Sequence, residues 1–294
     1  MRDPDLSLER HMSAAIEEAE TSLREGNHGF GAVIARGDDV VAREHDTEET
    51  ESDPTAHAES KAIRKASAVL GKDLAGCVLV STHEPCPMCA GAIVWSGLRR
   101  IAYGIGIPDA MAQGRRRLGL PCEQVFSRCG AAVEITKDVL RSRCALLYDE
   151  RVRSELRKLR GATDRMLIEC NEASTRTRLA WYAATQPVHS SADPLQRAYE
   201  LLLRKLEIDP SEAPIVENDG HRLRFHSRNF CPTLEACRIL RLDTRRVCRL
   251  SNEGATNALV RMVDARLSFS RNYETLRPYG DCCEEMIDLG TGPG

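Results

Sequence analysis

Charge of one sign is missing from this sequence: 41 Lys and Arg stand against 44 Asp and Glu, a formal net charge of −3. No overall positive field recruits a phosphate backbone, so any nucleic-acid site would have to be local. Long apolar runs are missing too. Nothing approaches the ~18 residues a membrane span needs, and the amino terminus, Met1 to Asp5, is charged with no apolar segment behind it. That pattern predicts a cytoplasmic protein. Aromatic residues make up only 4% and there is no internal repeat, yet 42% of residues are hydrophobic and 29% charged. Such a composition excludes fibrous, disordered and disulfide-dense miniprotein classes. What is present is length and cysteine. The 294 residues imply about two domains at roughly 150 each. In a reducing compartment the 12 Cys read as buried apolar residues, metal ligands or reactive thiols rather than disulfides.

Leu8, Met12, Ala15, Ile16, Ala19 and Leu23 form one stripe of an amphipathic helix that ends at Gly26. Gly29 to Ala35, a turn at Gly37-Asp38-Asp39 and Val40-Val41-Ala42 predict a β-hairpin. Ala56 to Leu70 reads as a helix, Cys77 to Ser81 as a central strand, Pro87 to Gly97 as a helix and Arg100 to Gly104 as a strand. A helix over 109–118, a strand over 133–136 and a helical stretch over 138–160 follow. Strands alternating with helices predict one sheet with helices on both faces. Helical composition continues through 163–186, a Pro- and Ser-containing linker covers 187–194, and a helix spans Leu195 to Leu206. The tail from Gly290 to Gly294 is too rich in breakers to stay ordered.

Two segments carry chemistry, His57-Ala58-Glu59 and Pro85-Cys86-Pro87-Met88-Cys89, each where a helix begins. One neutral His and two thiolates supply three metal ligands and leave a fourth position for water, the mark of a catalytic rather than a structural zinc. Helix amino termini favour the thiolate forms of Cys86 and Cys89. Glu59, two residues past the His, is the natural general acid and base. The alternative is a helix-capping His57 and a structural Cys pair without metal.

The arrangement His-x-Glu followed by Pro-Cys-x-x-Cys resembles the zinc-dependent cytidine deaminase superfamily. Gly29 to Ile34, Asp53 to Glu59 and Glu84 to Ile93 look like the branch containing bacterial guanine deaminase, yeast-type cytosine deaminase and the tRNA adenosine deaminases, over about residues 8–150. The resemblance implies that His57, Cys86 and Cys89 bind Zn2+, that Glu59 shuttles protons, and that the backbone N–H groups of Ala58 and Cys86 lie close to the attacking water. It also implies a homodimer, and Phe30, Ala58 and Asp109 as residues near the substrate.

Trp95 and Asp109-Ala110-Met111 are similar to guanine deaminase, and the Lys-Thr-Gly-Ala segment of the bacterial tRNA enzymes is absent. The later acidic residue of guanine deaminases, however, falls here within Arg115-Arg116-Arg117. The Asn that contacts the base in these families is matched by Asp46, which accepts hydrogen bonds but cannot donate them when ionised. Asp46 is then either a contact for a ring N–H or a turn residue facing water. The acidic run Asp46, Glu48, Glu49, Glu51 and Asp53 repels phosphate and favours a small base or nucleoside over tRNA. Arg115–Arg117 with Arg99 and Arg100 form a solvated helix face or a local basic patch. His83 reads as a strand-end residue or a pocket residue.

In the second half, Cys231, Cys237, Cys248, Cys282 and Cys283 are either buried thiols around a core helix or a second metal or ligand-sensing site, with a faint resemblance to small-ligand-binding domains of bacterial regulators. The expected architecture is a three-layer α/β/α deaminase-like domain over 1–160, a helical connector over 161–206 and a smaller α+β domain over 207–294. The expected reaction is conversion of an amino-substituted heterocycle to its oxo form with release of ammonia. Its rivals are tRNA adenosine deamination and a non-catalytic scaffold, and the presence of Glu59 argues against the latter.

Overall fold

The computed structural model describes residues 4–112, 118–187 and 191–290, which fall into two compact units, 1–154 and 155–294. Arg115–Arg117, part of the linker and most of the terminal tail lie outside the described residues.

The first unit runs α1 (Pro4–Glu25), β1 (Gly31–Arg36), β2 (Asp39–His45), α2 (Glu48–Glu51), α3 (Ala58–Leu70), β3 (Val78–His83), α4 (Pro87–Trp95), β4 (Arg100–Ile105), α5 (Ile107–Ala112), α6 (Cys122–Arg128), β5 (Glu134–Thr136), α7 (Arg141–Leu146) and α8 (Glu150–Leu159), the last crossing the boundary. Its sheet has the order β2-β1-β3-β4-β5, antiparallel from β2 to β3 and parallel from β3 to β5. β1 and β3 are almost wholly buried, as strands covered on both faces must be. Ala32, Ile34, Leu79 and Ile101 meet α3, α4 and α6 on one side. α1 covers the other so closely that a Cβ at Gly31 would fall 2.0 Å from the Ala15 carbonyl oxygen. The three-layer α/β/α reading therefore holds.

The expected helical stretch 138–160 is broken instead into α7 and α8. Asp149 accepts from the N–H groups of Arg151 and Val152 and so starts a new helix, while Leu147 and Tyr148 turn into the core. α6 went unread because its start is fixed from afar: Glu84 Oε1 accepts from Cys122 N at 2.9 Å.

The second unit comprises α9 (Asp164–Thr185), α10 (Pro194–Leu206), β6 (Ile215–Asn218), β7 (Arg222–Ser227), α11 (Pro232–Leu240), α12 (Thr244–Cys248), a π-helical turn (Arg249–Glu253), α13 (Gly254–Val260), β8 (Leu267–Arg271) and β9 (Cys283–Leu289). Its antiparallel sheet is ordered β6-β7-β9-β8. Leu195, Leu202, Leu223, Phe225, Leu259, Phe269 and Ile287 form its core. The segment 161–206, expected as a connector, belongs to this unit, since α10 supplies one wall of that core. A second sheet domain is thus present. Among the described residues no helix is long and apolar enough to cross a membrane.

Candidate metal and proton-transfer site

Two helix starts meet beside β3 in the first unit. His57 is the N-cap of α3 and Cys86 the N-cap of α4, both with extended backbone, so each side chain leaves the chain where the helix has not yet closed on itself. Pro87 at the first position of α4 gives up no hydrogen bond there and presets the backbone. Cys89, one turn on, points the same way as Cys86.

His57 Nδ1 lies 3.5 Å from both Cys86 Sγ and Cys89 Sγ. A tetrahedral centre with ordinary Zn–N and Zn–S bonds sets its nitrogen and sulfur ligands about 3.5 Å apart. The donor set and its spacing therefore fit a zinc ion, and this is the one group of three potential metal-holding side chains among the described residues. The half-buried Cys86 and the buried Cys89 thiol beside it oppose each other's ionisation. Cys86 is pulled down by hydrogen bonds from Cys89 and His57, while its thiolate and burial push Cys89 up. The Cys86 thiolate in turn raises His57 to about 9. His57 Nε2 faces Glu48 Oε1 at 3.5 Å, and Glu48 also faces His28 at 3.7 Å.

Glu59 is buried inside the first turn of α3 and accepts from the Cys89 thiol at 3.6 Å. Burial, then the Cys86 thiolate, pushes it up to about 7. Ala58, the first residue of α3, is fully buried beside it.

Phe30 packs edge-on against His83 at 5.5 Å and tilted against Tyr148 at 5.6 Å. Tyr148 donates to the Gly29 carbonyl at 3.1 Å, and His83 Nδ1 bonds the Glu84 carbonyl at 2.9 Å. No local pattern announces Tyr148, which sits more than a hundred residues beyond Phe30. Glu84 is a second residue whose role the sequence hides: besides Cys122 it accepts from Ile107 N at 2.9 Å, tying the chain after β4 to the Cys86 loop.

Asp46 departs from both sequence readings. It is wholly buried, and its carboxylate accepts from Ser22 Oγ at 2.6 Å, Phe30 N at 2.7 Å and His28 N at 2.9 Å. It neither faces water nor presents a free oxygen to a ring; it clamps the loop that leads into β1. Asp109 accepts from Gly106 N at 3.0 Å and pairs with Arg141 through both oxygens at 2.7 and 2.9 Å. The hydrogen bonds from Arg141 hold it below the usual carboxylate range. Trp95, at the end of α4, is 92% exposed.

The profile of the cytidine and deoxycytidylate deaminase zinc-binding region matches residues 6–105. The tRNA-specific adenosine deaminase of Bacillus subtilis is 35% identical over 162 residues, which is 55% of this chain and 98% of that protein. The guanine deaminase of the same organism is 41% identical over 111 residues, covering 37% of this chain and 71% of the relative. A probable cytosine deaminase of Schizosaccharomyces pombe is 36% identical over 95 residues, 32% of this chain and 58% of the relative.

Proposed function

The chain belongs to the zinc-dependent cytidine deaminase-like superfamily, hydrolases acting on C–N bonds of cyclic amidines, and from that premise we propose that its first unit deaminates a free base, nucleoside or related heterocycle. His57, Cys86 and Cys89 hold the zinc in this reading. The bound ion supplies a Lewis acid that makes water a nucleophile at neutral pH. The chain's own part is the proton. Glu59 takes one proton from the attacking water and gives it to the ring nitrogen, then takes the second from the hydroxyl now on the ring carbon and gives it to the amino group, so that ammonia departs. The water oxygen bonds to the ring carbon, the exocyclic C–N bond breaks, and a ring carbonyl and NH3 result.

The placement of Glu59 carries the proposal. A carboxylate buried in the first turn of α3, two residues from His57 and touching Cys89, makes no ion pair with a Lys or Arg among the described residues. The partly exposed Glu48, Glu49 and Glu51 in α2, immediately before His57, support a small substrate over a polyanion. Within that class the guanine-deaminase-like branch is favoured by Asp109 and Trp95. The rival is adenosine-to-inosine conversion in tRNA, favoured by the relative that the chain covers almost end to end. A homodimer in the cytoplasm completes the reading, and light scattering of the purified chain tests the dimer.

The experiment is ammonia release with guanine, other free bases, nucleosides, nucleotides and tRNA, run on the native chain and on Glu59→Gln. Turnover of a free base or nucleoside, lost in the variant while one zinc per chain remains, supports the proposal. Turnover of tRNA alone gives the rival, and undiminished turnover in Glu59→Gln overturns the assignment.

A further inference from the structure

The core-facing side of the second sheet turns polar at one end. Register sets Phe225 opposite Glu285 and Glu285 opposite Arg271, so these side chains share the face that carries Leu223, Phe269 and Ile287. Alternation along a strand makes this unavoidable: Leu267, Phe269 and Arg271 point the same way. A charged pair here is costly unless every donor and acceptor is met.

Glu285 is met. Oε1 accepts from Arg271 Nε at 2.7 Å and Oε2 from Ser227 Oγ at 2.7 Å. Arg271 is not. Its side chain is only 9% exposed, Nη2 donates to Asn252 Oδ1 at 3.0 Å, and Nη1 is enclosed with no hydrogen-bond partner among the described residues. Asn252 sits in the π-helical turn, a distortion that recurs at functional sites. Its Oδ1 also accepts from Thr256 Oγ1 at 3.0 Å, and Thr256 Oγ1 accepts from Arg178 Nη1 at 2.6 Å.

Arg178, buried on α9, is thus drawn into the same network and makes no ion pair among the described residues. α9 is held there by Asn171, two turns earlier, whose Oδ1 accepts from Ala255 N at 2.8 Å. Arg178 thus joins Arg271 in one hydrogen-bond network, through Thr256 and Asn252, while the Glu285 carboxylate bonds Arg271 alone of the two. Burial and the charge of Arg271 lower Arg178 to about 10, still protonated at neutral pH, and the nearby Cys248 thiol, pushed up to about 12 by burial, supplies no compensating anion. Arg178 therefore adds a second buried guanidinium to the network of the Arg271–Glu285 pair.

We propose that Arg178 and Arg271, at the polar end of the inner sheet face, bind a small oxyanion, the carboxylate or phosphate group of a metabolite. The fork of a guanidinium matches either group, and the spare Nη1 donor of Arg271 is the contact the chain leaves for it.

The test is amide hydrogen exchange and thermal unfolding of the full chain with inorganic phosphate and, separately, succinate, against sodium chloride at equal ionic strength. One of the two anions is expected to slow exchange in α9 and β8 and raise the second unit's Tm by a few degrees; which one does so identifies the source chemistry. No response beyond chloride from either anion overturns the proposal. Arg178→Met keeps the Arg271–Glu285 pair, so the fold should persist, with an unliganded Tm no lower than the parent and the anion response gone. A response that survives in Arg178→Met also overturns it.

Discussion

The two units differ in how they assemble their polar clusters. In the first, ligands and carboxylate come from two short segments at the starts of α3 and α4, with 26 residues between Glu59 and Cys86. In the second, Arg178, Asn252, Thr256, Arg271 and Glu285 come from α9, the π-helical turn, α13, β8 and β9. The first gathers a His, two thiols and a carboxylate at spacing that fits a cation; the second sets two buried guanidinium groups in one polar network with a single carboxylate bonded to Arg271. A site built on helix starts can be written as a motif. A site built on sheet register and helix packing cannot.

The largest effect that can break this contrast is at Glu59. Glu59→Gln should cut deamination by about 10²–10⁴-fold with zinc content unchanged, as metal analysis beside an ammonia assay will show. A variant that instead loses its zinc would make Glu59 part of the metal cage. Next comes Glu285→Gln, which removes the carboxylate paired with the buried Arg271. It should destabilise the second unit by about 3–5 kcal/mol in urea unfolding, and a neutral result would mean that the Arg271 charge does not depend on it.

Asp46→Asn sharpens the division between substrate contact and scaffold. Its amide would oppose the His28 N–H with another donor, at a cost of about 1–3 kcal/mol in the first unit, and substrate preference should not change. A changed preference across a panel of bases would return Asp46 to the substrate. The smallest effect is at His45, raised above its ordinary value by hydrogen bonding to Glu18 and Glu25. A raised pKa adds stability that is fully present below about pH 6.5 and fades as pH climbs through the raised value. The urea midpoint should therefore fall between pH 6 and pH 9, and His45→Gln should flatten that fall.

Much of the first unit was legible. The stripe in α1, the hairpin and the β-branched run in β3 follow periodicity, and periodicity survives because each element buries one defined face. Where reading failed, long-range contacts had decided. The stretch 138–160 has unbroken helical composition, but Leu147 and Tyr148 are worth more in the core than in a continuous helix. Likewise Asp46 reads as a base contact because it stands where the similar families have a base-contacting Asn, yet its hydrogen-bond donors come from Ser22, His28 and Phe30. The second unit's strands lay in a region where the sequence offered only scattered cysteines and one helical run.

The sequence alone determined that His57, Glu59, Cys86 and Cys89 gather at two helix starts and that the sheet is layered, because each depends on residues close in the chain whose geometry a helix start or a strand period sets. Only the tertiary structure decided what Asp46 does, how Tyr148 meets Phe30 and His83, and that Arg178 and Arg271 enter one buried network. Those facts depend on burial and on charges brought together from distant positions, and neither the cost of enclosing a charge nor the partner that offsets it is written in local spacing.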